Sequence, residues 1–376
     1  MTYRVVICRS NPIAPDTRVE KEALTLSQSG YNVTLVGWDR ESKLSYENLV
    51  QGIRYFRLNI PVKDAEGINN LSSILRWQIG LYKWLVTHTH EYDVIHACDF
   101  DTILPALLSS KIFRKKVIYD IFDFYADMLR KTPKLIINII HRMDIWAINQ
   151  ADGVILADNS RNEQIVGSQP KSCIIIYNSP PDLLVSKNQP AISPAGRLKL
   201  SYIGLLQIER GIFDLVEVLS RHMEWELELG GYGPEEEKIR DQVEGVSNIH
   251  WHGRIPHEKA LDLNNASDVM IAIFDPSIPN NRYASSNKLF EAMMLKKPII
   301  VARNTNMDRI VQKYDCGIII DYGDQSGLEE ALQDLAQDPE HRQRLGDNGR
   351  YGYEQVFNWE AMQKRLNKFY NELLRN

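Results

Sequence analysis

Short apolar runs that are rich in β-branched residues alternate along the chain with longer stretches in which apolar residues recur at helical spacing. Such runs are typical of strands that are buried on both faces of a parallel sheet. In the first half the predicted strands are Tyr3–Cys8, Asn32–Gly37, Gly52–Arg57, Val94–His96, Lys116–Asp120 and Gly153–Ala157. The predicted helices are Thr17–Gly30, Ile74–Thr89, Asp101–Phe113 and Ile136–Asn149. The alternation predicts a parallel sheet covered by helices.

The same alternation restarts in the second half. The predicted strands there are Leu198–Ile203, Trp225–Gly230, Asn248–His252, Val269–Ile273, Pro298–Val301 and Gly317–Asp321. Two successive sets predict an α/β protein with two facing Rossmann-like domains, each a doubly wound parallel sheet, with a cleft between them at the carboxyl ends of the strands. We expect domains at residues 1–186 and 198–356, and a linker rich in Pro, Ser and Gly at 187–197. The pattern of residues 357–376 predicts an amphipathic helix, whose apolar face must pack against one of the domains.

Composition agrees with a two-domain globular protein. The chain has 376 residues, of which 44% are hydrophobic and 25% charged, and it is longer than one hydrophobic core usually supports. The net charge of −5 argues against nucleic acid as the main partner. The four cysteines are scattered without a CxxC pair, which is typical of reduced thiols in the cytosol.

The sequence has no apolar run long enough for a membrane span and no signal peptide at its start, so we expect a cytoplasmic protein. One segment, Arg130–Met143, mixes basic residues with a dense isoleucine and leucine run. Such a helix either packs on a sheet or lies in a bilayer interface. Peripheral contact near residues 130–143 with the inner face of a membrane therefore stays open.

The stretch Tyr283–Val301 carries the most informative chemistry. It opens with three good helix-capping residues, Ser285, Ser286 and Asn287. A helix that starts there leaves free N–H groups for an anion, and Lys288 adds a positive charge. Glu291 lies one turn further and can accept hydrogen bonds from vicinal hydroxyls. An anion cradle with a diol acceptor predicts a sugar-nucleotide site; the alternative is an ordinary capped helix with an ion pair between Lys288 and Glu291.

Two glycine-rich turns follow strands of the second domain. Gly204 ends the first strand, and Arg210 with Gly211 opens the next helix, where a guanidinium can clamp a phosphate. A second turn contains Gly231, Gly233 and Pro234. Each turn alone is also explained as tight strand-to-helix geometry.

In their order along the chain, these segments resemble the retaining glycosyltransferases of family 4 (glycosyl transferases group 1), which have the GT-B architecture. The resemblance spans nearly the whole chain, from Thr2–Trp38 through Asp93–Asp101 and Tyr177–Pro180 to Asn287–Val301. It implies that the first domain binds the acceptor. It also implies that the final helix crosses back to the first domain, as it does in many members.

The resemblance assigns donor-binding roles in the second domain. Arg210 and Lys288 would hold the donor diphosphate, helped by backbone N–H groups near Ser286 and Asn287. Glu291 would bind the ribose hydroxyls. The turn at Arg254 and Ile255 would border the nucleobase. Family members generally need no metal here, so we expect no cofactor, with a nucleotide diphosphate-sugar as co-substrate.

Three positions depart from the family pattern. Leu205 stands where many members have an arginine, Tyr283 where many have a first glutamate, and Phe122 where many have a histidine. These are donor-sugar contacts, so the sugar is not identified. Some subgroups lack the first glutamate, and loss of activity does not follow.

The resemblance implies transfer of a sugar to a hydroxyl with retention at the anomeric carbon, as in hexosyltransferases of polysaccharide or glycoconjugate biosynthesis. Four carboxylates stand at predicted strand ends of the first domain, namely Asp99, Asp101, Asp120 and Asp123. We expect Asp99 and Asp123 to act closest to the sugar and acceptor; helix capping by Asp99 and a surface role for either are the alternatives. Arg18 and His96 are expected on the acceptor side, although His96 also suits a buried position.

Other functions stay open at this stage. A GT-B sugar-nucleotide epimerase would use the same cradle with more acid and base groups around the sugar. A non-catalytic nucleotide-sugar-binding or scaffold subunit would keep the cradle without turnover. His250 and His252 share a predicted strand face, but no third metal ligand accompanies them. The acceptor is a glycan, a lipid-linked molecule or a small molecule.

Overall fold

The computed structural model describes residues 2–62, 71–129, 132–184 and 192–375. The chain forms two compact units. The first comprises Met1–Tyr177 with Met362–Asn376, and the second comprises Asn178–Ala361. The units divide between residues 177 and 178, before the linker expected at 187–197, of which residues 187–191 lie outside the described ranges.

The first unit is an eight-stranded sheet with helices between its strands. The strands are β1 (Arg4–Arg9), β2 (Asn32–Asp39), β3 (Glu47–Val50), β4 (Ile53–Asn59), β5 (Val94–Cys98), β6 (Lys116–Ile121), β7 (Gly153–Leu156) and β8 (Cys173–Ile175). The helices are α1 (Thr17–Gln28), α2 (Leu71–Thr87), α3 (Phe100–Phe113), α4 (Tyr125–Met128) and α5 (Lys134–Gln150). Part of α14 (Trp359–Arg375) completes the unit from Met362 onward.

The strands of this sheet lie in the order β3-β4-β2-β1-β5-β6-β7-β8. All neighbours are parallel except β3, which pairs antiparallel with β4. The central strand β1 is buried from Val5 to Cys8, as its continuous apolar sequence requires. Chain order reverses between β1 and β5, so their carboxyl ends form the topological switch point of the unit.

The second unit is a six-stranded, wholly parallel sheet in the order β11-β10-β9-β12-β13-β14. The strands are β9 (Leu198–Leu205), β10 (Trp225–Tyr232), β11 (Ile249–Gly253), β12 (Val269–Ala272), β13 (Ile299–Ala302) and β14 (Gly317–Ile320). The helices are α6 (Ile212–Arg221), α7 (Glu236–Val243), α8 (His257–Ala266), α9 (Pro279–Arg282), α10 (Asn287–Leu295), α11 (Met307–Tyr314), α12 (Gln325–Gln337) and α13 (Pro339–Gly352). A π-helical turn (Tyr353–Phe357) precedes α14.

Every strand and helix predicted from the sequence has a counterpart, with ends that shift by a few residues. The predicted end of α1 moves from Gly30 to Gln28, and Gly30 follows with φ of 90°. The sequence did not predict β3 and β8. β3 is exposed along its length and β8 has three residues, so neither shows the apolar run of a buried strand.

The last helix packs on β7 within the first unit. A Cβ atom at Gly153 would lie 2.4 Å from Cζ of Phe369, so glycine at this position makes room for α14. Among the described residues, no helix combines the length and apolar content that crossing a bilayer requires.

Candidate functional site

The donor-type residues of the second unit gather at its topological switch point. Chain order in this sheet reverses between β9 and β12, because β10 lies on the other side of β9. Ligands of doubly wound sheets bind beyond the carboxyl ends of the strands at such a point. Gly204 lies near the carboxyl end of β9, Arg210 follows this strand, and Lys288 enters the region from the first turn of α10.

Lys288 lies across the end of β9. Its Nζ atom is 3.5 Å from the centroid of the Tyr202 ring, and the Tyr202 hydroxyl donates to the Leu205 carbonyl at 2.7 Å. A Cβ atom at Gly204 would lie 2.9 Å from Cε and 3.0 Å from Nζ of Lys288. The ammonium group therefore occupies space that only glycine leaves free at this position.

Arg210 brings a second cation to the same place. Its guanidinium carbon lies 3.8 Å from the centroid of the Phe274 ring, which follows β12. The chain turns into α6 directly afterwards at Gly211, whose φ of 63° favours glycine. A Cβ atom there would lie 2.7 Å from Cγ2 of Ile273, so the turn also needs a residue without a side chain.

The two cations are electrostatically linked. The pKa of Lys288 is lowered to about 7, chiefly by burial and also by the positive charge of Arg210, while the negative charge of Glu291 opposes both effects. The two half-buried cations repel each other, and binding of an anion would reduce this repulsion. A diphosphate, with several negative oxygens, has the matching charge.

Glu291 lies one turn along α10 from Lys288 and is 7% exposed. Its Oε2 atom accepts a hydrogen bond from Nδ2 of Asn264 on α8 at 3.3 Å. The amide holds one side of the carboxylate. An ionised carboxylate only accepts hydrogen bonds, so hydroxyl groups are suitable donors to it.

The start of α10 agrees with the predicted helix but not with the predicted side-chain cap. Ser286 is the N-cap residue and accepts the Leu289 N–H through its backbone carbonyl at 3.2 Å, while its side chain makes no capping hydrogen bond. Asn178 donates to the Ser285 carbonyl at 2.9 Å, which fixes the approach to the helix. The Oγ atom of Ser285 is buried without a hydrogen-bond partner among the described residues. Asn287 is exposed in the first turn, where N–H groups have no intrahelical acceptor.

The turn after β10 requires glycine for a close backbone approach. A Cβ atom at Gly233, whose φ is 157°, would lie 2.3 Å from the Leu206 carbonyl oxygen. Leu206 donates its N–H to the Tyr232 carbonyl at 2.8 Å, so the ends of β9 and β10 are tied together. The glycines of this turn thus bring the two strand ends close enough to form one edge.

The expected nucleobase border forms an exposed edge. The Arg254 guanidinium carbon lies 4.6 Å from the centroid of the Tyr232 ring, which is 51% exposed. Ile255, the next residue, is half-buried. An exposed aromatic ring beside a guanidinium offers planar surfaces for stacking.

In the first unit, Asp99 lies at the corresponding switch point, after β5. Its Oδ1 atom accepts the backbone N–H groups of Phe122 at 2.8 Å and of Asp123 at 3.3 Å, and its Oδ2 atom is ion-paired with Arg9. Asp99 is the N-cap residue of α3 but makes no side-chain capping bond, so the capping alternative does not hold. Burial raises the pKa of Asp99 to about 6, and Arg9 opposes the shift.

Asp99 also has an unusual backbone. Its φ of 63° is uncommon for a residue other than glycine. Such strained positions concentrate at functional sites, where surrounding contacts hold them. The bonds of its carboxylate to Arg9 and to the Phe122 and Asp123 N–H groups are the contacts that hold it here.

The side chain of Asp123 is more exposed than that of Asp99. Its Oδ1 atom accepts a hydrogen bond from Nη2 of Arg161 at 2.7 Å, and its side chain is 39% exposed. Two guanidinium groups contact the Phe122 ring, that of Arg9 at 4.2 Å and that of Arg18 at 4.7 Å from its centroid. The phenyl ring therefore takes the place of a polar contact at this position.

Arg18 and His96 are interior residues. Arg18 donates to both carboxylate oxygens of Asp120, at 2.9 and 3.3 Å, and to the Ile176 carbonyl at 2.6 Å. His96 contacts Asp120 through Nε2 at 3.3 Å and the Tyr370 hydroxyl through Nδ1 at 2.7 Å. Both side chains are enclosed by protein atoms, so the structure offers neither for direct contact with an acceptor.

This buried network also includes the one group of three metal-ligating atoms found among the described residues, those of His96, Cys98 and Asp120 within 4.8 Å of one another. Arg18 already pairs with the Asp120 carboxylate, and burial raises the pKa of Cys98 well above its usual range. A fixed guanidinium charge and a protonated thiol do not suit a cation. His252 is bonded to Glu228 at 2.5 Å, and no third metal-ligating side chain joins them in the described part of the chain.

Sequence reasoning missed several contacts of the cradle. Tyr202 lies two residues before Gly204, so strand alternation puts both on one face of β9, and this signal was available. Phe274 follows β12, the strand beside β9 at the switch point. Asn264 had no sequence signal, because its contact with Glu291 depends on how α8 and α10 pack.

Comparisons with known proteins agree with this architecture. Residues 187–351 match the model of the family described as glycosyl transferases group 1. The glycogen synthase of Mycobacterium tuberculosis is 21% identical over 366 residues, which cover 90% of this chain and 86% of that protein. These matches support a glycosyltransferase.

Solved structures show the fold. A sucrose-phosphate synthase from Thermosynechococcus elongatus superposes with a TM-score of 0.79 at 16% identity, covering 99% of both chains. HepE from Anabaena, solved in complex with UDP and glucose, gives a TM-score of 0.71 at 14% identity and covers 98% of this chain and 100% of its own. These neighbours are GT-B glycosyltransferases, and the two parallel-sheet α/β units of this chain have the same fold.

Proposed function

We propose that the protein transfers a sugar from a nucleotide diphosphate-sugar to a hydroxyl acceptor, with retention of the anomeric configuration and without a metal ion. The observation that carries the proposal is the pair of cations, Arg210 and Lys288, at the switch point of the second sheet. Each lies on an aromatic ring, and the charge of Arg210 disfavours that of Lys288. A diphosphate would relieve this unfavourable pair.

The donor is assigned to the second unit. Arg210, Lys288 and the first N–H groups of α10 bind the diphosphate, while Glu291, oriented by Asn264, accepts hydrogen bonds from the ribose. Arg254 and Ile255 border the base beside Tyr232. The structural neighbour HepE was solved with UDP and glucose, which makes a uridine diphosphate-sugar the first donor to test.

The chemistry follows from where charge develops. As the glycosidic bond breaks, positive charge grows on the sugar ring and negative charge on the leaving phosphate. Arg210, Lys288 and the α10 N-terminus stabilise the leaving phosphate, which is the role that a metal would otherwise take. The leaving phosphate oxygen accepts the proton of the incoming hydroxyl on the same face of the sugar, and this gives retention.

The first unit is assigned the acceptor and the sugar. Asp99, held by Arg9 and by two backbone N–H groups, and the more open Asp123 are the carboxylates of this assignment. Arg18 and His96 are given a positioning role instead, because their side chains are enclosed and fix Asp120.

The test is nucleotide release from a panel of nucleotide-sugars by the purified protein. Lys288→Ala and Glu291→Ala should abolish release, whereas Lys313→Ala, an exposed lysine of the same unit, should not. A chelator should leave release unchanged, and proton NMR of the product should give the donor's anomeric configuration. Nucleotide binding without release on any acceptor would favour a non-catalytic binding subunit, and absence of binding would overturn the cradle.

A further inference from the structure

The fifth helix has two opposite faces. Asp144, Ala147 and Ile148 are buried against the unit. On the other side, four large apolar residues recur at spacings of four, four and three, which places them in one stripe. Their exposed fractions are 72% for Leu135, 49% for Ile139, 37% for Met143 and 44% for Trp146. The exposed stripe is thus more apolar than a solvent-facing helix surface normally is.

The stripe continues onto the neighbouring helix α3. Leu108 and Ile112, one turn apart, are 51% and 54% exposed. Nζ of Lys111 lies 5.3 Å from the Trp146 ring centroid, so the two helices meet at this point. We name the six apolar residues Leu108, Ile112, Leu135, Ile139, Met143 and Trp146 the α3–α5 face. A continuous exposed apolar surface of this kind marks an interaction site.

The exposed charges on the two helices that carry this face have one sign. The exposed charged residues of α3 and α5 are Lys111, Lys134 and Arg142, whereas the acidic residues of both helices, Asp101 and Asp144, are buried. The whole chain has a net charge of −5. Exposed charges that are all basic on these two helices, in a protein that is acidic as a whole, point to an anionic partner.

We infer that the α3–α5 face docks on the surface of an anionic lipid bilayer. The apolar residues enter the boundary between headgroups and acyl chains, Trp146 lies at the headgroup level, and Lys111, Lys134 and Arg142 contact lipid phosphates. A second copy of the chain fits less well, because a two-fold interface would bring two sets of these cations together.

This inference goes beyond the proposed transfer reaction and does not depend on it. The donor residues belong to the second unit, whereas the α3–α5 face belongs to the first. Binding to lipid and release of nucleotide can therefore be measured and can fail separately.

The experiment is co-sedimentation of the full chain with vesicles of phosphatidylcholine alone or mixed with phosphatidylglycerol. We expect binding to the anionic vesicles that weakens with salt. Leu135→Gln should weaken it by about tenfold, since a leucine side chain leaves the lipid phase. Lys134→Glu should weaken it by about fivefold or more per unit of charge changed.

Matched controls separate this face from general surface effects. Leu49→Gln changes a leucine that is 68% exposed on β3, and Lys238→Glu changes an exposed lysine of α7; neither should alter binding. Unchanged thermal unfolding of Leu135→Gln would exclude misfolding. Equal loss in Leu49→Gln, no binding of the wild type to anionic vesicles, or a dimer that Leu135→Gln dissociates without any vesicle binding would each overturn the inference.

Discussion

Lys288 and Arg210 share one site, and the charge of Arg210 helps to hold the pKa of Lys288 at about 7. Burial is the larger cause, because the ammonium group lies on the Tyr202 ring instead of in water. Close to neutral pH, Lys288 therefore changes between a charged form that attracts phosphate and a neutral form that does not. Donor binding should depend on this proton.

We predict that the affinity for a nucleoside diphosphate falls as pH rises above about 7. A bound diphosphate favours charged Lys288, so above this pKa the free protein must take up a proton on binding. The loss should approach tenfold per pH unit, because the terminal phosphate, whose last proton has a pKa of about 6, is mostly ionised there. Calorimetry in buffers of different ionisation enthalpy measures both the affinity and the proton uptake.

Two variants provide the controls for this pH dependence. Lys288→Met should bind nucleoside diphosphate more weakly, and its affinity should no longer fall with pH. Lys313→Met should keep the pH dependence of the wild type. An unchanged slope in Lys288→Met would assign the proton to another group.

We predict that Gly204→Ala impairs the diphosphate site without unfolding the unit. The new methyl group would lie 2.9 Å from Cε of Lys288, and a flexible side chain moves more easily than the backbone. Displacing one cation should weaken diphosphate binding by about tenfold, as for a charged hydrogen bond of roughly 1.5 kcal/mol. Titration with nucleoside diphosphate measures the change.

A double variant tests the cause of this effect. If Gly204→Ala acts through Lys288, it should add little loss in a Lys288→Ala background. A full, additive loss there would instead indicate a change in the backbone of β9.

We predict that Asp120→Ala strongly destabilises the first unit. Its carboxylate is bonded to Arg18 and His96, and all three side chains are buried. Removing it leaves a buried guanidinium charge with less compensation, which costs about 3–5 kcal/mol. Thermal unfolding should shift down by about 10 °C, given the usual 2–4 °C per kcal/mol for a unit of this size.

An exposed ion pair is the comparison for that measurement. Lys43 and Glu41 are paired at 2.7 Å with side chains 75% and 71% exposed, so Glu41→Ala should hardly change stability. Similar shifts for Asp120→Ala and Glu41→Ala would mean that the buried network contributes little.

We predict that Asp99→Asn lowers acceptor-dependent transfer while nucleotide binding persists. Burial raises the pKa of Asp99 to about 6, so its charged form, which pairs with Arg9, is lost as pH falls through this value. The rate of transfer by the wild type should decline below about pH 6. The rate of the variant should be low and should not change with pH in this range. Rates of transfer against pH test this, and an unchanged rate in Asp99→Asn would remove Asp99 from the catalytic residues.

The same raised pKa affects stability in a defined direction. The folded protein binds a proton at Asp99 between the unfolded pKa of about 3.9 and the folded pKa of about 6, so this group favours the folded state at the acid end of that window. The contribution is lost as pH rises through about 6. Asp99→Asn should therefore flatten this part of the stability profile.

The sequence predicted every strand of the two sheets except β3 and β8, because parallel strands are buried on both faces and have continuous apolar runs. It also predicted the start of α10 and the place of Arg210, since capping residues and glycine turns are local signals. Contacts between distant segments have no such signal. The Asn264 bond to Glu291 and the Arg9 pair with Asp99 arise from packing.

The carboxylate of Asp99 illustrates the difference. Its position before a helix predicted a capping bond, but two backbone N–H groups after β6 compete for the same oxygen and bind it instead. Likewise, His96 was predicted to end a strand, yet β5 continues to Cys98, and the His96 ring is bonded to Asp120 and Tyr370 in the interior.

Helix α14 follows the second unit along the chain but packs in the first unit. Tyr370 and Leu366 are fully buried there, and Phe369 fills the space beside Gly153. These residues leave the ribosome only after the whole second unit has been synthesised. The first unit must therefore remain incomplete, with β7 and His96 uncovered, until α14 has been synthesised, and a stop codon before α14 would damage the part of the protein that was made first.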